Sequence, residues 1–242
     1  MKRIVLIRKI VKSLTAAVCA AAMMIPIRTH AQNEFSVSGK ADFVSEYVWR
    51  GLDQHSGFSV QPSLTLSYGG LSLNAWGSRS LTNEAKEFDI NLSYAVNGFS
   101  LTVSDYWWTG ANQPYGDYRN SHYFEATAAY SFGESFPLSL SWSTMFAGGK
   151  AMEADGIDVP GSTYINTSFP IALPADITLT PAIGITPWEG MYWNKFAVTD
   201  ISLKANKDIK VTESFSVPVF VQAIVAPVFD RTYLVAGFSI GF

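Results

Sequence analysis

From residue 35 onward, apolar and polar residues alternate along the chain with a period of two. Residues 35–43 place Phe, Val, Gly, Ala and Phe at odd positions and Ser, Ser, Lys and Asp between them, and residues 58–68 and 87–96 alternate similarly. Successive side chains of a β-strand point to opposite faces, so this period predicts strands with one apolar and one polar face. No stretch of comparable length has the 3.6-residue period of a helix, and we therefore predict an all-β protein.

About twelve segments share this alternation. They are 35–49, 58–68, 71–79, 87–96, 99–108, 121–132, 138–146, 162–171, 177–186, 196–206, 214–225 and 231–242. Short turns such as 69–70 and 97–98 alternate with long links such as 109–120 and 147–161, and only the last link, 226–230, breaks this order. Alternating short and long connections are typical of outer-membrane barrels, which have turns on the periplasmic side and loops outside.

The polar face distinguishes between three architectures: a β-sandwich, a small soluble barrel and an outer-membrane barrel. That face is mostly Ser, Thr, Asn and Gln, and charged residues make up only 15% of the chain. Small uncharged groups suit a crowded barrel interior better than a wet surface. We therefore predict a single transmembrane antiparallel β-barrel of about twelve strands, with its apolar face towards lipid. Aromatic residues near strand ends are expected to form its interfacial girdle: Tyr47, Trp49, Trp107, Trp188 and Trp193.

The first 31 residues have the pattern of an export signal. A basic start precedes an apolar core at 14–27, and Thr29-His30-Ala31 offers a small-x-small cleavage site. We expect residues 1–31 to be a cleaved signal peptide and residues 32–242 to form one barrel in the outer membrane of a Gram-negative cell, in contact with its lipid. The only cysteine, Cys19, lies in the leader, so no disulfide or zinc knuckle is expected in the mature chain. Eleven basic and twenty acidic residues remain, without a basic cluster, which argues against nucleic acid as a partner.

The last predicted strand ends on an aromatic residue within an amphipathic pattern. Phe238, Ile240 and Phe242 share its apolar face. This ending resembles the C-terminal signal that the outer-membrane insertion machinery recognises, so we expect that machinery to be a partner.

The alternation also assigns eight charged residues to the barrel lumen. They are Lys40, Asp42, Glu46, Arg50, Asp89, Glu125, Asp200 and Lys204. In the segment "SEYVWRG" the same rule continues the first strand, so Tyr47 and Trp49 should face lipid while Glu46 and Arg50 point into the outer mouth of the lumen. Twelve strands lie between filled eight-strand barrels and wide porins, which predicts a narrow channel for small polar or cationic solutes. The alternative is a non-conducting structural or interaction barrel, with a salt-bridged lumen and ligand-binding outer loops.

Catalysis receives little support from the sequence. The expected mature chain has only two histidines, His55 and His122, that could serve as a catalytic base. A barrel lipid hydrolase built on Ser121, His122 and Glu125 is a further alternative, but alternation sends His122 and Glu125 to opposite faces. We therefore predict that the chain is not an enzyme.

A metal site is equally weakly indicated. The loop residues Glu153, Asp155 and Asp158 could bind Ca²⁺ weakly, but their spacing fits no defined calcium loop and a solvated acidic loop is the simpler interpretation. We predict neither a metal nor a cofactor.

One sequence resemblance bears on the class of protein. It is carried by Ser45, Glu46, Tyr47, Arg50, Gly51, Gln54, Pro62 and Trp76. These residues resemble the opening of the TorF-type porin family, small β-barrel proteins of the Gram-negative outer membrane, over roughly the first third of the mature chain. The resemblance implies an outer-membrane barrel with a channel-like role, and it brings no catalytic residues.

Overall fold

A computed structural model describes residues 34–108, 114–153, 156, 159–213 and 215–241. The expected signal peptide lies outside these ranges and stays a prediction. No helix within them is long and apolar enough to cross a membrane. The regular elements are β1 (Phe35–Val44), β2 (Tyr47–Trp49), β3 (Leu52–His55), β4 (Ser59–Tyr68), β5 (Leu71–Ser80), β6 (Lys86–Val96), β7 (Phe99–Trp108), β8 (His122–Ser131), β9 (Ser139–Gly148), α1 (Lys150–Glu153), β10 (Thr163–Ser168), β11 (Ile171–Leu173), β12 (Ile177–Thr186), β13 (Ala197–Lys210), β14 (Ser216–Ala226), a 3₁₀ turn (Pro227–Phe229) and β15 (Arg231–Gly241).

The described strands close into an antiparallel barrel of twelve. Consecutive wall strands pair with each other along the chain, whereas β2 and β3 form a separate two-stranded sheet. β10 and β11 are one wall strand interrupted at Phe169 and Pro170, and both pair with β12. The barrel closes where β1 pairs with β15, with Lys40 opposite Gly241. The predicted all-β barrel and its strand number are confirmed.

The two faces of the wall follow the predicted alternation. On β4, Leu64 and Leu66 are 46% and 36% exposed on the outside. Thr65, between them, faces inward, where its hydroxyl accepts a hydrogen bond of 2.9 Å from the side-chain amide of Asn74, which in turn accepts one of 3.1 Å from Asn91. Hydrocarbon offers no hydrogen-bonding partner for a free strand edge, so a closed wall with an apolar outside and a polar inside is the architecture of an outer-membrane barrel.

The connections differ between the two ends of the barrel, as the sequence predicts. One end has the turns 69–70, 97–98, 132–138, 174–176 and 211–215. The other end has the links 45–58, 81–85, 109–121, 149–162, 187–196 and 227–230. β1 begins and β15 ends at the short-turn end. By analogy with outer-membrane barrels we call the other end the outer end.

The first strand is shorter than predicted, because the chain turns inward at Ser45. The Ser45 amide donates to the carbonyl of Ala236 (2.8 Å), and its hydroxyl accepts from the Ala236 amide (2.9 Å). Residues 47–55 then form the lumenal hairpin, made of β2 and β3. Its turn residues Arg50 and Gly51 have φ angles of 53° and 82°, and two positive φ values are what a tight two-residue hairpin turn requires. The prediction of one strand over 35–49 is therefore wrong.

Replacing Leu64 by Arg should destabilise the barrel by about 2–4 kcal/mol in liposomes, because the charge would lie in hydrocarbon. Leu64→Ala serves as the matched control and should cost clearly less. Urea unfolding, followed by the gel shift between folded and boiled protein, measures both variants. Equal stability of the Arg and Ala variants would show that this face meets water.

Candidate functional site

The lumenal hairpin crosses the outer half of the barrel interior. Tyr47 donates a hydrogen bond of 3.4 Å to Glu87 of β6, and its ring meets that of Trp76 on β5 at 5.5 Å. On the other side, Val48 packs against the cluster of Val44, Ile224 and Val235 on β1, β14 and β15. The hairpin thus contacts β5 and β6 as well as β1, β14 and β15.

The hairpin tip lies against β13. At Gly51 an added Cβ would come within 2.6 Å of the carbonyl oxygen of Thr199, so this position has no room for a side chain. Its φ of 82° is also one that glycine adopts readily. Gly51 therefore lets the tip reach the wall.

Arg50 is held by a buried carboxylate. Its guanidinium donates two parallel hydrogen bonds to Glu125, of 2.6 and 2.8 Å, and a third bond to the hydroxyl of Tyr192. Glu125 is only 1% exposed and also accepts hydrogen bonds from Tyr106 (2.9 Å) and Thr127 (3.3 Å). A bidentate arginine–carboxylate pair with its remaining acceptor sites filled is the strong form of such an interaction.

Aromatic rings surround the same guanidinium. The carbon Cζ of Arg50 lies 4.3 Å from the ring centre of Trp49, 4.5 Å from that of Tyr164 and 5.4 Å from that of Tyr192. These distances allow cation–π attraction, which strengthens away from water. We call the five side chains around Arg50 the aromatic box: Trp49, Tyr106, Glu125, Tyr164 and Tyr192.

Local backbone irregularities position the box. A β-bulge shifts the register of β8 against β9 between Phe124 and Glu125, and bulges commonly re-aim side chains near functional sites. Tyr164 donates to both oxygens of Asp200, at 3.0 and 3.2 Å. A Cβ at Gly184 would lie 2.3 Å from the Tyr164 hydroxyl, so the missing side chain makes room for this contact.

Two further carboxyl groups lie beside the hairpin. Glu87 and Asp89, neighbours on the inward face of β6, are each 5% exposed. In the part of the chain that the structure describes, no group donates a hydrogen bond to Oε2 of Glu87 or Oδ1 of Asp89. Two buried carboxyl groups therefore lie side by side next to the hairpin.

Two lysines of the wall, Lys40 and Lys204, lie near the middle of their strands. Lys40 pairs with Asp42 at 2.7 Å, and Asp42 also accepts a hydrogen bond of 2.5 Å from Ser239. The ammonium of Lys204 lies 4.1 Å from the ring centre of Phe220. Both lysines face the interior from β1 and β13.

Glu46, another predicted lumen residue, takes no part in the hydrogen bonds around Arg50. It lies in the bend before the hairpin, where partial burial and then the Asp53 carboxylate raise its pKa above the ordinary value. The structure therefore brings Arg50 and Glu125 together, while Glu46 stays apart from Arg50.

The structure places two of the predicted girdle residues elsewhere. Tyr47 and Trp49 face the lumen, because they belong to the hairpin and not to an extended first strand, so their assignment to the girdle is wrong. Trp107 lies on the outer face, where its ring packs on Tyr115 (5.4 Å). Trp188 packs on the exposed Trp142 (5.9 Å), and Trp193 packs on the 3₁₀ turn. The girdle role of these three tryptophans stays a prediction.

The predicted insertion signal is only partly described. Phe238 stacks on Phe43 of the neighbouring strand at 4.8 Å, and Ile240 is 48% exposed on the outside. Phe242 lies outside the described residues. Recognition by the insertion machinery stays a prediction.

His122 lies on the outside of the barrel and does not meet Glu125. Its Nδ1 is 2.6 Å from a carboxylate oxygen of Asp105, and its Nε2 is 2.6 Å from the carbonyl oxygen of Tyr115. Both ring nitrogens of His122 therefore have a hydrogen-bonding partner. Ser121 donates instead to the carbonyls of Pro114 and Asp117. The contacts fasten the segment 114–121 to the wall and do not assemble the imagined hydrolase.

Part of the acidic outer loop lies outside the described residues. Asp155 and Asp158, and the side chains of Glu153 and His55, lie outside what the structure describes. Among the described residues, no group of three or more His, Cys, Asp or Glu side chains could hold a metal ion.

Four important residues were missed by sequence reasoning. Alternation also puts Glu87, Tyr106 and Tyr164 on the polar, inward face. The two tyrosines at inward positions were therefore the available sequence signal for an aromatic site in the lumen. Tyr192 lies in the link 187–196, where no periodicity exists. Burial raises the pKa of its hydroxyl above the ordinary value, so it stays neutral beside Arg50.

The fold and the site define a small closed β-barrel of the outer-membrane type, with an inward-folded hairpin pinned across its outer half. The chain belongs to the family described as "Bacterial protein of unknown function (Gcw_chp)", whose family model matches residues 28–228. A search of the curated proteins finds no match.

Solved structures of channels are among the similar folds. The KdgM porin in complex with disordered oligogalacturonate is 9% identical, with a TM-score of 0.46 over 85% of this chain and 97% of that one. An outer membrane channel from Pseudomonas putida F1 is 14% identical, with a TM-score of 0.45 over 90% of this chain and 100% of that one. Salmonella typhi OmpF in complex with daunomycin is 8% identical, with a TM-score of 0.37 over 87% and 98% of the two chains.

Arg50→Ala should lower the free energy of unfolding by about 3–5 kcal/mol, because it leaves the Glu125 carboxylate buried without a counter-ion. The double variant Arg50→Ala/Glu125→Gln should lose less than the sum of the two single losses. Urea titration in detergent micelles measures the cycle. Arg79→Ala, which removes an exposed arginine, should change stability by no more than about 0.5 kcal/mol. Additive losses would mean that Arg50 and Glu125 are not coupled.

His122→Ala should speed trypsin cleavage after Arg119, because the segment 114–121 would lose its bonds to the wall. Asp105→Asn should have the same effect, since it replaces the carboxylate beside the His122 ring with a neutral amide of the same shape. Timed digestion of the folded barrel measures both. A cleavage rate equal to that of the unchanged protein would exclude this fastening role.

Proposed function

We propose that this chain is a narrow outer-membrane channel for small polar or cationic solutes, with the lumenal hairpin as its constriction. One observation carries the proposal: a hairpin lies across the outer half of a lumen lined with small polar groups, with Val48 packed beside β1, β14 and β15 and Arg50 paired with Glu125 on β8. Side chains held across the lumen would set which solutes pass.

The charges of the lumen support a preference for cations. The eight predicted residues together with Glu87 comprise six carboxyl groups and three cationic groups. A passage with excess carboxylates concentrates cations and disfavours anions. The sequence resemblance to TorF-type porins supports the same function.

The same proposal includes the membrane environment of the barrel and its route to that membrane. The apolar outside would contact outer-membrane lipid, and the pattern at Phe238 and Ile240 would serve the insertion machinery. The expected signal peptide would deliver the chain to that membrane. Catalysis forms no part of this proposal, because the contacts of Ser121, His122 and Glu125 leave them in separate places.

One alternative has structural support. The hairpin and the aromatic box occupy the outer half of the lumen, and a buried cluster of Tyr123, Met145 and Val159 packs against Trp49 of the hairpin. If this packing leaves no path, the protein would be a non-conducting barrel whose outer loops bind a partner.

Arg50→Ala should raise the single-channel conductance several-fold in a planar bilayer, because it frees the hairpin from the wall. Lys207→Ala, near the inner end of the barrel, is the control and should leave the conductance unchanged. Potassium over chloride selectivity should remain cationic in both. A bilayer that stays sealed at high protein load, with unchanged and variant protein alike, would favour the non-conducting barrel.

A further inference from the structure

We propose that the aromatic box is a binding site for solutes that carry a guanidinium or primary ammonium group, and that Arg50 is its tethered occupant. The proposal rests on the proposed channel function, because it names the class of cation that the channel would select. It is argued from the box's composition and from the way the hairpin is held.

The box belongs to the barrel rather than to the hairpin. Tyr106, Glu125 and Tyr164 lie on the wall strands β7, β8 and β10, and Tyr192 lies in the link 187–196. Only Trp49 comes from the hairpin. Removal of the hairpin would therefore leave four of the five side chains in place.

The chemistry of the box matches a planar cation. Glu125 offers two oxygens to parallel N–H groups, at 2.6 and 2.8 Å from the Arg50 nitrogens, while Tyr164 offers a ring face at 4.5 Å. Tyr192 adds a hydroxyl acceptor. A guanidinium matches this fork-and-face geometry, and an ammonium group matches the charge with fewer parallel bonds.

The hairpin is joined to the barrel mainly through its side chains. β2 and β3 pair only with each other within the described chain and add no strand to the wall. Arg50 also has a φ of 53°, a conformation that is costly for a residue with a side chain. Its guanidinium contacts offset that cost, so the side chain holds the turn in place.

Exchange of cations follows from the burial of Glu125. This carboxylate is 1% exposed, and a buried carboxylate without a counter-ion is strongly destabilising. Arg50 can therefore leave readily only when another cation enters the box. A guanidinium-bearing solute would displace Arg50, release the hairpin and pass.

Thermal unfolding of Arg50→Ala in detergent micelles tests the site without relying on conduction. Methylguanidinium chloride at about 20 mM should raise its unfolding temperature by about 2–4 °C, because the ligand binds only the folded box. Sodium chloride at equal ionic strength and urea, a neutral molecule of similar shape, should give no such rise. Arg50→Ala/Glu125→Gln should not respond to methylguanidinium.

A second variant covers the case in which Arg50→Ala does not fold. Arg50→Lys keeps the charge but loses the planar fork, so methylguanidinium should stabilise it more than it stabilises the unchanged protein. If methylguanidinium raises the unfolding temperature of the folded variants no more than sodium chloride does, the box is not a binding site. A methylguanidinium-dependent rise in unfolding temperature, in a protein that never conducts, would support the binding site and overturn the channel. Conduction without such a rise would support the channel and overturn the binding site.

Discussion

The structure depends on pairing every backbone amide and carbonyl of the wall within the sheet. A strand edge left open in hydrocarbon would cost several kcal/mol for each unpaired group, so the twelve strands must close, as they do between β1 and β15. Closure fixes one face of every strand to the inside. The polar residues of that face must then find partners in the lumen, and the Thr65–Asn74–Asn91 chain of hydrogen bonds shows how they do so.

The same closure creates an interior into which a connecting segment can fold. The link between β1 and β4 uses this space, because its hairpin brings Arg50 to a carboxylate that would otherwise be buried alone. The pair of Arg50 and Glu125 joins this link to the wall through side chains, while the backbone of the hairpin stays outside the sheet. A connection of that kind can be strong and still be exchangeable, since another cation can satisfy Glu125.

The barrel was predictable from the sequence because alternation is a local property of each strand. The inward positions of Asp89, Glu125 and Lys204 follow from the same period of two. The hairpin was not predictable in this way, because Tyr47 and Trp49 keep the alternation of β1 and the inward turn depends on contacts at Ser45 with a strand at the other end of the chain. The identity of Arg50's partner depends likewise on a residue 75 positions away.

The most direct test of the hairpin as constriction is a reversible crosslink between Val48 and Ile224, which pack in one cluster. The pair Val48→Cys/Ile224→Cys is placed in an Arg50→Ala background, and single-channel conductance is recorded before and after reduction. The account predicts a low conductance, close to that of the unchanged protein, while the disulfide is intact, and a several-fold rise on reduction. A conductance that stays high in the oxidised, crosslinked barrel would contradict it.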